Sequence, residues 1–321
     1  MSRKTKIWFI TAVFLVFVGC VIFGGVMTMF KWDFTKLSTI KYETSDFEIN
    51  KDYKNISIVT KTADILFVPS EHSKTSVVCY DQKNMKHLVT VEDGTLVIEI
   101  EDTRKWYEYI GINFGTPKIT VYIPQGEYGT LLVNSSTGDV EIPKEFKFEN
   151  IDISASTGDI KDYASALEII KLKTSTGNIC TEGISAGSLE LSASTGKIIA
   201  KDISCVGDVK TKVSTGKTNI TDIKCKNVVS NGGTGDVYLK NVLADEMLSV
   251  ERDTGDVSMV DCDAAELFVK TSTGDVIGTL LSEKVFIAES DTGRVNVPKS
   301  ITGGKCEIVT DTGDINISIQ E

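Results

Sequence analysis

Histidine is almost absent from this chain: His72 and His87 are the only two in 321 residues. There is also no Cys-x-x-Cys pair, zinc motif, nucleophile elbow, phosphate-binding loop or dinucleotide fingerprint, so the commoner catalytic and metal chemistries have nothing to build on. Surface positions are the ordinary expectation for both histidines. Seven cysteines, Cys20, Cys79, Cys180, Cys205, Cys225, Cys262 and Cys306, are odd in number and scattered, which is not a disulfide framework. Proline is scarce too, with Pro69, Pro117, Pro124, Pro143 and Pro298 as the full set and none from 144 to 297. A proline inside a stacked strand deletes a ladder donor, so that empty stretch is where uninterrupted strands fit. Positive charge is short as well: the net charge is −11, and removing Arg3, Lys4 and Lys6, the only charges among the first 30 residues, leaves −14. Such a balance argues against a nucleic-acid partner or a strong electrostatic hold on anionic lipid.

What is present first is a long apolar run, Ile7 to Phe30, framed by Trp8 and Trp32. As a helix it reaches across roughly 30 Å of hydrocarbon. It is long for a cleaved signal core and no Ala-x-Ala-like site closes it. The basic residues precede it, which places residues 1–6 in the cytoplasm and everything after Lys31 outside. A single-pass cell-membrane anchor is the expectation. A second reading is lipid attachment at Cys20, since Val18-Gly19-Cys20 loosely resembles a lipoprotein cleavage site, although Phe17 suits it badly.

The rest is dominated by one turn, Ser136-Thr137-Gly138-Asp139-Val140, and its nine later variants. Their glycines are Gly138, Gly158, Gly177, Gly196, Gly216, Gly235, Gly255, Gly274, Gly293 and Gly313, spaced by 19 or 20 residues. All ten keep Thr-Gly. A fixed period of this size marks a solenoid. The residues around each corner, such as Val237/Leu239 and Leu248/Val250, alternate apolar with polar, which means strands with one buried face. No 3.6-residue pattern competes. The expected fold is all-β, a parallel β-solenoid of about ten rungs over 135–321, right-handed by the general preference of parallel crossovers. Residues 31–46 read as a spacer. Residues 47–134 read as an irregular strand-rich section closing the N-terminal end, with Thr62-Ala63-Asp64-Ile65 as an echo of the corner.

Within that section Trp106, Tyr107, Tyr109, Ile110, Ile112 and Phe114 form a dense apolar cluster. It is expected to fold over the open end of the core; the alternative is an exposed patch that docks a partner or lies on a membrane. At the other end, Ile315 to Glu321 keeps strand alternation with nothing after it to cover the last rung. An open edge there would permit end-to-end self-association.

The corners are the first candidates for chemistry. The residue after glycine runs Asp139, Asp159, Asn178, Lys197, Lys217, Asp236, Asp256, Asp275, Arg294, Asp314. A calcium site at Asp236, Asp256 and Asp275 is one reading, but the column is interrupted and the calcium β-roll spacing is missing, so a turn role is expected. Thr-x-Thr occurs at Thr174/Thr176, Thr271/Thr273 and Thr310/Thr312; hydroxyls serving turn backbone are expected there rather than an ice-binding face. Cys205 and Cys225 both lie nine residues past their glycines and so stack on adjacent rungs, either bridged or, as favoured, as small apolar residues. No catalytic, cofactor-binding or metal-binding residue is assigned. Polysaccharide-cutting β-helix enzymes need long loops walling a cleft, which rungs varying by one residue do not supply, so the expectation is a protein that is not an enzyme.

Taken together, the N-terminal span, the irregular strands and the Ser-Thr-Gly-Asp-Val or Ile turns resemble a bacterial family of proposed adhesins whose domain is formally of unknown function. The resemblance covers roughly residues 47–321. It implies a β-solenoid on the outer face of the cell membrane, with adhesion proposed from architecture. Lys197, Lys217 and Arg294 depart from the family's acidic corner. The functional expectation is a non-enzymatic surface solenoid, an adhesin or scaffold binding a protein or glycan through many weak contacts along repeated polar faces. The rival is an envelope-stress signalling component, which only six residues before the span would force to act through another membrane protein.

Overall fold

Period-two alternation places every second side chain inside, and stacking copies of the same alternation gives each inward residue an equivalent neighbour above and below. One such column runs Leu131, Ile151, Ile170, Leu189, Val209, Val228, Leu248 and Leu267, each paired in parallel register with the next. All eight are buried. Each contributes about 1.5–3 kcal/mol by leaving water. The computed structural model describes residues 3–37, 40–71, 74–109 and 115–320. His72, Ile110, Ile112, Phe114 and Glu321 fall outside them.

The architecture is a parallel β-solenoid of about ten turns, preceded by one helix, Arg3–Met29. In each rung a strand runs into the Thr-Gly corner, a second strand leaves it, and in the middle rungs a second corner follows six residues later. That second corner is Gly183, Asp202, Asp222, Asn241 and Asp261, with φ between 51° and 70°. Glycine, aspartate and asparagine are the residues that tolerate this left-handed conformation. At the first corner Gly158 has φ 138°, and a Cβ there would overlap the Gly138 carbonyl of the rung beneath. Ala63 occupies the matching position of the first rung and donates its N–H to Thr137 O at 3.0 Å.

The N-terminal end is closed by antiparallel strands. Tyr42–Ile49 pairs with Thr75–Gln82, and Met85–Glu92 pairs with Thr95–Asp102, which in turn lies parallel to the first rung strand, Asn55–Thr62. Stacking in chain order fails at the other end. Leu267–Thr273 pairs with Cys306–Thr312, and Cys306–Thr312 then pairs with Phe286–Thr292, so the Gly313 rung sits between the Gly274 and Gly293 rungs. The open edge is therefore Lys284–Thr292. The expected edge, Ile315–Ile319, is paired along its whole length on one side and at Ile315 and Asn316 on the other.

Even spacing of the glycines hid this swap, but local residues explain it. The chain leaves strand alternation at Val297–Thr302, turns back, and re-enters beside Ala265, where a Cβ on Gly304 would overlap the Ala265 carbonyl. Lys284 is buried and donates from Nζ to Asp263 Oδ1 and Ser282 Oγ, both at 2.6 Å.

The helix is apolar around its whole circumference, with side chains such as Trp8, Phe9 and Phe17 exposed to more than 60%. Within the apolar run, Thr11 and Thr28 return their hydroxyls to Ile7 O and Gly24 O at 2.9 and 2.7 Å, so neither hydroxyl is left without a partner. Among the described residues it is the one helix long and apolar enough to cross a membrane.

Candidate functional site

The corner acids form a hydrogen-bonded ladder. Asp64 Oδ1 accepts the N–H of Asp139, Asp139 that of Asp159, Asp159 that of Asn178 and Asn178 that of Lys197, at 2.7 to 3.0 Å. The ladder resumes from Asp236 through Asp256, Asp275 and Asp314 to Arg294. Each carboxylate is thus tied to the backbone of the next rung, which accounts for the acid without a cation. Lysines stand where the ladder lapses, and Lys217 Nζ instead meets Asp236 Oδ2 at 2.9 Å. Arg294 stands where it ends, since the outermost rung has no further N–H to receive; its Nη2 donates to Asp314 Oδ2 at 2.8 Å.

The threonines of Thr-Gly work through their backbones: Gly138 N–H reaches Thr157 O at 3.0 Å, and the pattern repeats up the stack. The hydroxyls that serve the corners belong to residues two positions earlier. Thr174, Thr271 and Thr310 donate to the carbonyls of Gly158, Gly255 and Gly274 at 3.1 to 3.2 Å. Those three are buried while Thr176, Thr273 and Thr312 are exposed, so the Thr-x-Thr pairs share no face. Cys205 and Cys225 are buried free thiols.

His87 departs from expectation, being 2% exposed. Its Nδ1 lies 2.7 Å from Asp81 Oδ1, its backbone N–H donates to Asp81 Oδ2 at 2.8 Å, and its Nε2 lies 2.8 Å from Thr60 Oγ1. The order acid, imidazole, hydroxyl is that of a nucleophilic triad, but Thr60 is itself buried, so the network joins the closing hairpin to the first rung. Cys79, Asp81 and His87 also bring three ligand atoms within 4.8 Å of one another. They fit a metal poorly: both ring nitrogens are engaged, and burial pushes the Cys79 thiol up to about 12, away from the thiolate a metal needs. The signal for His87 lay in parity, since it alternates in step with buried Met85.

Two further polar groups sit in the core. Asp162 Oδ1 accepts Ala164 N–H at 3.1 Å, but its Oδ2 and the Oγ1 of Thr181, its register neighbour, have no partner. Burial pushes the Asp162 carboxyl up to about 7. Arg252 turns inward over Gly232, donating from Nη2 to Thr218 Oγ1 at 2.7 Å, with Nε and Nη1 unpartnered; burial lowers its pKa to about 10.

An extended feature lies on the outside. Three shallow cavities of about 350, 290 and 550 Å³ lie end to end along the strand face that precedes the Thr-Gly corner, linked by shared Lys173, Lys212 and Asn231. Through those shared residues they line up as one shallow trough whose walls run from Val59 to Ser272. Its walls include Ser154, Ser192, Lys171 and Lys210, and it carries five lysines against Glu190, Glu251 and Asp253. The Trp106 turn is exposed rather than folded over the core, with Trp106, Tyr107 and Tyr109 at 77, 51 and 59%.

A stacked-rung core, backbone-spent corners and a long polar trough define a β-solenoid repeat protein. The chain belongs to the Toastrack DUF4097 family, whose model matches residues 53–212 and 201–321. Among solved structures it is similar to a proposed adhesin of Bacteroides fragilis at 16% identity and a TM-score of 0.42, covering 87% of this chain and 97% of that one. A proposed adhesin of Parabacteroides distasonis matches at 13% identity and a TM-score of 0.43, over 86% and 97% of the two chains. A proposed cell adhesion protein of Clostridium sporogenes matches at 14% and 0.27, over 88% and 100%. No curated protein matches the chain.

Proposed function

We propose that this protein is a membrane-tethered, non-enzymatic solenoid that binds an extended glycan carrying carboxylate or phosphate groups along its trough. The trough itself carries the reading. At roughly 4.8 Å per rung it runs for about 40 Å, the dimension of a polymer rather than a small molecule. Its floor is backbone already paired within the sheet, so a peptide cannot add to it as a strand, and recognition falls to serine, asparagine and lysine side chains. A lysine excess there, in a chain of net charge −11, selects for anionic groups. Many weak contacts along a line then give avidity.

In this reading Arg3–Met29 stays as a single-pass anchor, with Arg3, Lys4 and Lys6 holding the N-terminus inside and the solenoid displayed outside. The test is binding of the full chain in lipid nanodiscs to an array of neutral and anionic glycans. Acidic glycans are expected to bind, and Lys173→Glu with Lys212→Glu to lower binding at least about tenfold. Equal binding by the variant, or no glycan binding, overturns it.

A further inference from the structure

The 3-10 turn Trp106–Tyr109 is pinned by its polar residues and presents its aromatic ones. Arg104 forks onto Asp102 through Nε and Nη2 at 2.8 and 2.6 Å, and its guanidinium lies 4.3 Å from the Tyr109 ring centroid. That pairing holds the Asp102 carboxyl well below the usual carboxylate range. Glu108 accepts the Lys105 N–H at 2.8 Å and Asn84 Nδ2 at 2.7 Å. The turn is thereby fixed to the closing hairpin, and three amphipathic rings point to solvent. Tryptophan and tyrosine, with apolar bodies and polar tips, are the side chains that settle at the headgroup level of a bilayer.

Position supplies the occupant. Tyr107 shares a cavity of about 280 Å³ with Ile40, Lys41, Lys83 and Arg104. Ile40 follows Met29, the end of the membrane-length helix, by eleven residues. Eleven residues reach at most about 40 Å, so this end of the rod stays close to the membrane. The Gly293 end lies ten rungs, or roughly 48 Å, farther along. Arg104 is spent on Asp102 and Glu108 on Asn84 and Lys105, which leaves Lys41 and Lys83 beside Tyr107 to meet lipid phosphates.

We infer that Trp106, Tyr107 and Tyr109 seat the N-terminal end of the solenoid on the surface of the bilayer that holds its own helix. The inference rests on the reading of that helix as an anchor. Its test uses the full chain with Trp8→Phe and Trp32→Phe, which leaves Trp106 as the sole tryptophan. This chain is reconstituted into phosphatidylcholine vesicles containing a minority of phosphatidylglycerol, with and without lipid brominated near the top of the acyl chains. Trp106 is expected to lose most of its emission to brominated lipid and to resist aqueous acrylamide. If the chain survives an alkaline wash with the vesicles while Trp106 stays bright and accessible to acrylamide, the seating is wrong and the anchor stands. Release by the wash removes the anchor and the seating together. Protection of Trp106 in native membranes but not in lipid alone assigns the surface to a protein partner and overturns the lipid assignment.

Discussion

Asp162 is a carboxyl in an aliphatic column, where Ile142 and Thr181 are its register neighbours on either side. An isolated carboxylate is costly there, which is why burial raises its pKa from 3.8 to about 7. The sign of the linkage follows. Below about pH 3.8 folded and unfolded chains both hold the proton, and this group contributes no pH dependence. Between 3.8 and 7 the unfolded chain ionises first, so stability falls as pH rises; above 7 the cost is complete. Asp162→Asn keeps an oxygen for Ala164 and removes the charge. Its melting temperature at pH 8 is expected to exceed that of the parent by several degrees, with the difference largely gone at pH 4, as scanning calorimetry would show. The corner acids are the opposite case, exposed and bonded to backbone, and Asn178 shows that an amide serves the ladder as well as a carboxylate. Their structural role was readable from the interrupted column. Neither Asp162 nor Arg252 was, because period-two counting reports which face a residue takes and not whether its polar atoms find partners.

The strands were legible because one alternation recurs on a fixed period, and the corners because only glycine fits between stacked carbonyls. The closing hairpin was not, since antiparallel strands of unequal phase carry no repeat. Its attachment depends on the Asp81, His87 and Thr60 network, all three at or below 4% exposure. His87→Ala leaves a buried carboxylate and a buried hydroxyl short of partners, a loss of about 3 kcal/mol or more. Hydrogen exchange in Thr75–Gln82 and Met85–Glu92 is expected to accelerate strongly, while the middle rungs, which touch only their neighbours, keep their protection. Uniform acceleration along the chain would show that the hairpin and the rungs unfold as one unit.

At the scale of the whole molecule the rod is a linear assembly whose ends differ. One is sealed by antiparallel strands and carries the exposed rings of Trp106, Tyr107 and Tyr109; the other stops at Lys284–Thr292, where Val285 and Ile287 remain exposed. The trough between them was foreseen only as a set of polar faces, because its depth depends on how neighbouring columns of side chains stand apart. The exchange of the last two rungs was invisible for a plainer reason: a crossover that skips one place and returns preserves the sequence interval.

That exchange makes the tail of the chain its keystone. Made from the N-terminus, the protein can lay each rung on the one before it only as far as Gly274. The next segment to emerge must wait, holding open a berth that its successor will fill. A chain cut after Gly303 therefore sheds two courses of the wall for the length of one, and proteolysis of that variant is expected to trim it back to about residue 280.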